Sequence, residues 1–406
     1  MRKWCGMKWL GILLVFLLSV PAWGAKKITV AQLEEMLRSA QQEKKSDADL
    51  ATALKQIELS EELTRSSMNS LGKLLPGPLA TEQIYVLEAR SADLIPPPSD
   101  LPSTPAPDAE AQKALLGKAA AYVAKQYDQL PALAALKTTL RFQDNVEAIA
   151  GSSGMQNSAR EIDTSPGFSN PTGFVHYINS SQALVAIERG SEKPPAEKDK
   201  TQWGANGMTA LEVPEPGLGV VFREAQANGG LHWLRWEMVD GKERAVVAFS
   251  VPKKKSRLEL DVCCFPKVNQ AGIATFYTAA TAGTLGDGGG GGGGGVAGNF
   301  QTTTEWHEYK STVAYHGEFF IDPETGAVVR MITEAELKPS DVVHRVDTRI
   351  DYGPETIAGK TLIVPVKSIV NTEVVPTGES GAGSYSTRCT LFTSEYKSYQ
   401  LAGGAE

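Results

Sequence analysis

The chain has 406 residues, a formal net charge of −7 and 42% apolar residues, enough for two ordinary domains with cores of their own. Acidic residues run along its whole length, and the one basic cluster is Lys253-Lys254-Lys255. A phosphate-binding surface needs a basic face or stripe, so nucleic acid is not an expected partner.

The N-terminus points to export. Arg2, Lys3 and Lys8 precede an apolar run from Leu10 to Val20, followed by small residues at Ala22 and Gly24. This pattern predicts a secretory signal peptide over residues 1–24. A run of eleven residues is too short to span ~30 Å of hydrocarbon, and Cys5 precedes the run, away from the position of a lipoprotein cysteine. Cleavage after Gly24 removes three cations and no acid, which leaves 382 residues and moves the charge from −7 to −10. No later segment reaches transmembrane length. The expected location is the periplasm or the medium.

Residues 25–95 read as a helical unit. Thr29 and Gln32 make a capping box ahead of Leu33, Met36, Leu37 and Ala40 at helical spacing. Ser46 or Asp47 opens a second helix with Leu50, Leu54 and Ile57 inward. A third is expected from Ser60, ended by Pro76-Gly77-Pro78, and a fourth from about Thr81 to Leu94. Residues 96–107, PPPSDLPSTPAP, form a proline-rich, semi-rigid linker. Asp108 then caps a helix over 108–130 that is expected to pack on a sheet.

From residue 131 to 406 the period is two, which predicts a mostly antiparallel β-domain. LKTTLRFQDNVEAI from Leu136 is the first strand. Gly173 to Gly190 reads as a hairpin turning at Asn179-Ser180-Ser181-Gln182, and Pro216 to Ala227 as a short helix with Leu218, Val221, Phe222 and Ala225 on one side. Asp240-Gly241 is a two-residue hairpin signal. Its register sets Glu237 opposite Arg244, Trp236 opposite Ala245, Leu234 opposite Val247 and His232 opposite Phe249. Glu237 and Arg244 then make an ion pair on a wet face, while Leu234 and His232 fall on the apolar one. Arg257–Phe265 continues the meander. An insertion at about 266–301 carries eight consecutive glycines, Gly288–Gly295, and is expected to be disordered. It lacks the Lys-Ser/Thr of a phosphate-binding loop.

The stretch YHGEFFIDPETGAVVRM (315–331) predicts a hairpin around Asp322-Pro323-Glu324-Thr325-Gly326. A four-residue loop puts Ile321 opposite Val328, Phe320 opposite Val329 and Phe319 opposite Arg330. Both faces are then apolar, which requires something to cover each. Val342–Tyr352, Thr361–Val375 and Tyr385–Tyr399 complete nine to twelve strands. The fold class is α+β: a helical unit, a linker, then a helix packed on a large, curved, mostly antiparallel sheet.

No catalytic, cofactor-binding or metal-binding residue can be assigned, and no cofactor is expected. The five histidines, His176, His232, His307, His316 and His344, show no ligand spacing, and no nucleophile-elbow, P-loop or zinc motif occurs. Trp306-His307-Glu308 is a lone step, and His316 with Glu318 shares one strand face. Of the mature cysteines, Cys263, Cys264 and Cys389, a bridge between Cys264 and Cys389 is preferred, with three buried thiols equally open.

IELSEELT (57–64), LPALAALKTTLRF (130–142), LHWLRWEMVDGKERAVVAFSVP (231–252), YHGEFFIDPETGAVVRM and IDYGPETIAGKTLIVPVKS (350–368) together resemble an uncharacterised family of exported bacterial proteins. The resemblance implies export and transfers no catalytic residue. The architecture is also loosely similar to the half-barrels of periplasmic lipoprotein carriers.

The leading expectation is a secreted, non-enzymatic binding or envelope-associated protein, holding an apolar or acyl ligand or a partner segment on an uncovered sheet face. One alternative is a hydrolase-type enzyme in which His316 and Glu318 converge with Asp322 or His344. The other is a scaffold that binds an envelope protein through residues 25–95.

Overall fold

The computed structural model describes residues 26–127, 130–143, 175–188, 190–193, 209–210, 216–266, 276–279, 301–304, 306–338, 341, 343–374 and 389–402. The signal segment and Gly288–Gly295 lie outside these residues.

Residues 26–95 build a core of their own. Strand β1 (Lys26–Ile28) pairs in parallel with β2 (Ile57–Leu59), alongside helices α1 (Val30–Gln42), α2 (Asp47–Lys55), α3 (Arg65–Leu71) and α4 (Pro78–Arg90). The capping box at Thr29 forms, and Ser46 caps α2. The third helix starts under Thr64, not at Ser60. Residues 57–59 are drawn into β2, and the Ser60 hydroxyl donates to Ile28 O at 3.3 Å. The fourth starts at Pro78, because the Asp47 carboxylate accepts from the backbone N–H groups of Leu79 and Ala80, each at 2.9 Å. Leu33, Leu37, Leu50, Leu54, Leu63 and Ile84 are fully buried in this unit.

The remaining elements are α5 (Ala109–Tyr127), β3 (Leu133–Gln143), β4 (His176–Glu188), β5 (Ser191–Glu192), β6 (Thr209–Ala210), α6 (Leu218–Ala227), β7 (His232–Val239), β8 (Lys242–Val251), β9 (Glu259–Pro266), β10 (Phe276–Ala279), β11 (Gln301–Thr304), β12 (Trp306–Thr312), β13 (Ala314–Ile321), β14 (Val328–Glu336), β15 (Val343–Ile357), β16 (Lys360–Val374) and β17 (Cys389–Leu401). Ten strands make one antiparallel sheet in the order β5-β4-β3-β17-β16-β15-β14-β13-β8-β7. The fold is α+β. Asp240-Gly241 and Ala358-Gly359 both adopt positive φ, as tight two-residue hairpins between twisted strands require.

Two faces of this sheet organise the molecule. On the first, here the α5 face, Phe249, Phe319, Met331 and Ile350 meet Leu115, Ala119 and Val123 of α5 and Val221 and Phe222 of α6. Phe249 stacks on Phe319 at 4.3 Å between ring centres, and Phe222 lies 5.1 Å from Phe319. The β8–β13 ribbon turns over at Pro252 and Val313 into a second sheet, β12-β9-β6, whose Leu258, Leu260 and Val262 join the same core. On the other, the α4 face, Val86, Ala89 and Ala92 close over Phe142, Ile369 and Leu391. Protein therefore lies on both faces. Between them the proline-rich segment wraps the β7 edge: the Trp236 indole N–H donates to Pro105 O at 3.0 Å, and Thr104 Oγ1 donates to Glu243 at 2.7 Å. That contact blunts an open sheet edge.

Several sequence expectations fail for identifiable reasons. Asn179–Gln182 is no turn. β4 runs unbroken along β3, with Ser180 and Gln182 exposed beside the edge, so polarity there reflects solvent. In the β7–β8 hairpin Glu237 faces Arg244 and Trp236 faces Ala245, but a bulge between Trp233 and Arg235 then shifts the ladder. It pairs Trp233 with Val247 and His232 with Ala248, and leaves His232 and Leu234 exposed. In the 315–331 hairpin Ile321 faces Val328, but Val329 bulges, so Phe320 faces Arg330 and Phe319 faces Met331. One extra residue thus moves Arg330 to the α4 face. The insertion is not wholly loop: β10 pairs with β11.

Candidate functional site

The residues proposed for hydrolysis do not converge. His316 lies half-exposed, 3.5 Å from Glu334 and 3.5 Å from Glu336. The Glu334 hydrogen bond raises its pKa, and the same pairing lowers that of Glu334. Glu318 instead accepts two bonds from Arg235, at 2.9 and 2.8 Å. Asp322 pairs with Arg244 and accepts from the backbone of Glu324 and Thr325 at 3.0 and 2.9 Å, which is turn chemistry. His344 is exposed. Among the described residues no three His, Cys, Asp or Glu side chains are grouped to hold a metal ion. Cys389 sits beneath α4 with Sγ 3.6 Å from Asn371 Oδ1. The side chain of Cys264, its preferred bridging partner, lies outside the described residues.

The α4 face holds a seam of charge instead. Glu62 Oε1 accepts from Arg349 Nη1 at 2.5 Å and Arg330 Nη1 at 3.2 Å, and Asp351 accepts from both guanidiniums at 2.6 to 3.2 Å. Two carboxylates and two guanidiniums thus close a neutral ring, with Glu62 3% and Arg349 5% exposed. Burial alone raises the Asp351 pKa, but Arg330 and Arg349 outweigh it and hold the carboxyl well below the usual range. Further along, Lys367 binds Glu88 at 2.5 Å and Arg345 binds Asp93 at 2.7 Å. In these pairs the helical unit supplies the acids and the sheet the bases. Glu237 is no wet surface ion: it is buried, its partner is Arg235 at 2.7 Å, and burial pushes it up to about 7 against that partner. Asp347 is likewise raised to about 7 by burial, against the pull of Arg345. The ion pairs of the seam join opposite charges, an arrangement that docks one layer on another.

From β15 to β17 the α5 face interleaves hydroxyls with apolar residues, Val370 and Phe392 among them. Ser368 lies opposite Ser394 and Ser394 opposite Thr139, and the last two share a 2.9 Å hydrogen bond. Thr372 lies opposite Thr390, with Thr348 across from Val370 in the adjoining row. At the other end Lys137 meets Glu192 at 3.1 Å, and Tyr396 donates to Glu192 at 2.8 Å. From Tyr396 to Thr390 the band follows β17 for six residues, about 20 Å at the rise of a strand. Thr348, Thr372 and Thr390 are buried, yet none of their hydroxyls has a hydrogen-bond partner. The same holds for the hydroxyls of Tyr127 and Tyr352, whose rings meet edge to face at 6.2 Å. A buried polar group left unpaired costs about 1–3 kcal/mol, so these five hydroxyls are a local cost that the packing around them carries.

One signal for both sites is present in β15, where RVDTRID (345–351) alternates charged residues with Val, Thr and Ile. Period two sends Arg345, Asp347, Arg349 and Asp351 to the α4 face and Val346, Thr348 and Ile350 to the α5 face. No family model, curated protein or solved structure matches the chain.

Proposed function

We propose that the chain is an exported, non-enzymatic binding protein of the cell envelope, one of an uncharacterised family of exported bacterial proteins, and that its ligand rests on the α5 face. The supporting observation is the set of buried, unpartnered hydroxyls at Thr348, Thr372, Thr390, Tyr127 and Tyr352. Thr372 and Thr390 are 0% exposed and Thr348 3%, so a ligand reaches this band only when the layer that covers it opens. The scattering of His316, Glu318, Asp322 and His344 argues against the hydrolase alternative. Engagement of Glu62, Glu88 and Asp93 by the sheet argues against a helical unit free to scaffold an envelope protein. Among the described residues no helix is long and apolar enough to cross a membrane.

Native mass spectrometry of the protein purified from its host tests the reading. A stoichiometric non-covalent adduct is the expected result, and ligand-free protein alone overturns it. Fractionation with N-terminal sequencing tests export: the expected mature chain starts at Ala25 and is found in the periplasm or medium.

A further inference from the structure

We infer that the open edge of β4 is a docking lane for one extended, uncharged segment of a partner protein, about five residues long, which pairs there as an added strand. This site is separate from the α5 face and does not depend on that reading. The two outer edges of the ten-stranded sheet differ. At β7 the proline-rich segment covers the edge through Trp236 and Thr104. At the other end β5 pairs with Ile187 and Glu188 alone, which leaves most of β4 without an outer neighbour among the described residues. Residues 176–187, HYINSSQALVAI, contain no Asp, Glu, Lys, Arg or Pro, the residues that commonly keep an exposed edge from pairing.

The lane has defined ends. Ala186 O accepts from the Lys193 N–H at 2.8 Å, so the Ala186 carbonyl points outward. Period two then turns the N–H and C=O groups of Leu184, Gln182 and Ser180 outward as well. The ladder skips Ile178, which shifts the count by one and brings the Tyr177 N–H outward, where Glu82 accepts it at 3.0 Å. Lys193 and Glu82 thus close the lane, and Ser180–Leu184 between them are all exposed. The β4 strand of a second copy, thirteen residues long, does not fit between these ends. Leu184, 66% exposed, stands beside Leu136, 36% exposed, and the pair asks for an apolar side chain next to it. Ser181 and Ala183 on the opposite side are small and leave room for a bulky one. Nothing between Ser180 and Leu184 carries a charge that would recompense a charged side chain for its lost water.

The test uses the full mature chain and the acetylated, amidated pentapeptide Thr-Val-Thr-Leu-Thr, with Glu-Val-Glu-Leu-Glu and Thr-Val-Pro-Leu-Thr as controls. The readout is hydrogen exchange resolved to single amides by mass spectrometry. The outward N–H groups of Ser180, Gln182 and Leu184 should exchange fast in the free chain and about tenfold more slowly in about 1 mM neutral peptide, as a Kd near 0.1 mM requires. Those of Ser181 and Ala183, which face β3, should not change. Gln182→Pro removes the central outward donor at an edge position that accepts proline, and should abolish the slowing with little change in Tm. Leu184→Lys adds a charge at an exposed site, should weaken the peptide about tenfold, and keeps the test decisive if the proline variant misfolds. No slowing with the neutral peptide overturns the proposal, as does equal slowing by all three peptides or slowing unchanged in the folded variants. A concentration-dependent dimer that protects the same three amides gives the edge to a second copy and overturns the partner segment.

Discussion

The two faces of the ten-stranded sheet are made by the same strands and held by different physics. On the α5 face Phe249, Phe319 and Met331 bury against two helices in contacts that are short-ranged and non-directional. On the α4 face Glu62, Arg330, Arg349 and Asp351 must each find a specific partner, because a desolvated charge without one is far costlier than a missing methyl group. The contrast teaches that the helical unit is not simply more core. Its attachment combines a small apolar patch under α4 with matched charges, as a docked layer and not a continuous interior.

The comparison is sharpened most by Phe319→Ala, which opens a cavity between α6 and the sheet and should cost about 3–5 kcal/mol. Urea unfolding should show this loss unchanged between low and high salt. On the opposite face Glu62→Ala leaves two buried guanidiniums sharing Asp351 alone, and about 3 kcal/mol of destabilisation is expected. Early loss of protection in α4 by hydrogen exchange should accompany it. If both variants unfold identically by both probes, the two faces do not differ as described.

A titration separates the faces further. Burial raises Glu237 to about 7 in the folded state, above its ordinary value of 4.5. Its contribution to stability is therefore complete below pH 4.5 and is lost as pH rises towards 7. Glu237→Gln escapes that loss. It should match the wild type near pH 4, apart from a constant offset, and gain up to about 3 kcal/mol on it by pH 8. A pH-independent difference would refute this assignment. The smallest effect is expected from Trp236→Phe, which removes the hydrogen bond to Pro105 and should cost about 1 kcal/mol. Limited proteolysis should then cut residues 101–107 sooner.

Much of this architecture is legible in the sequence, and its misreadings share one cause. Caps at Thr29 and Ser46, the helix at 218–227 and the Asp240-Gly241 turn are local, and each follows from a few neighbouring residues. The bulges at Leu234 and Val329 are not, because an extra residue in a ladder has no local signature. Their consequence is large: Arg330 looks like the partner of Phe319 and is in fact a ligand of Glu62, 268 positions away. The hydroxyl band is not legible in the sequence, because Thr and Ser at alternate positions fit a wet face as well as a buried one. Only the sheet order shows that Thr139, Ser394 and Ser368 lie side by side.

β17 has a kinetic consequence. It lies between β16 and β3, so it joins the early strands β3–β5 to the rest of the sheet. The Thr139–Ser394 pair closes a loop of 255 positions, and such distant pairings form late because chain entropy must be overcome first. Until residues 389–401 arrive, the strands on either side have raw edges facing each other across a gap. The interval before β17 inserts is therefore the chain's period of greatest exposure to aggregation.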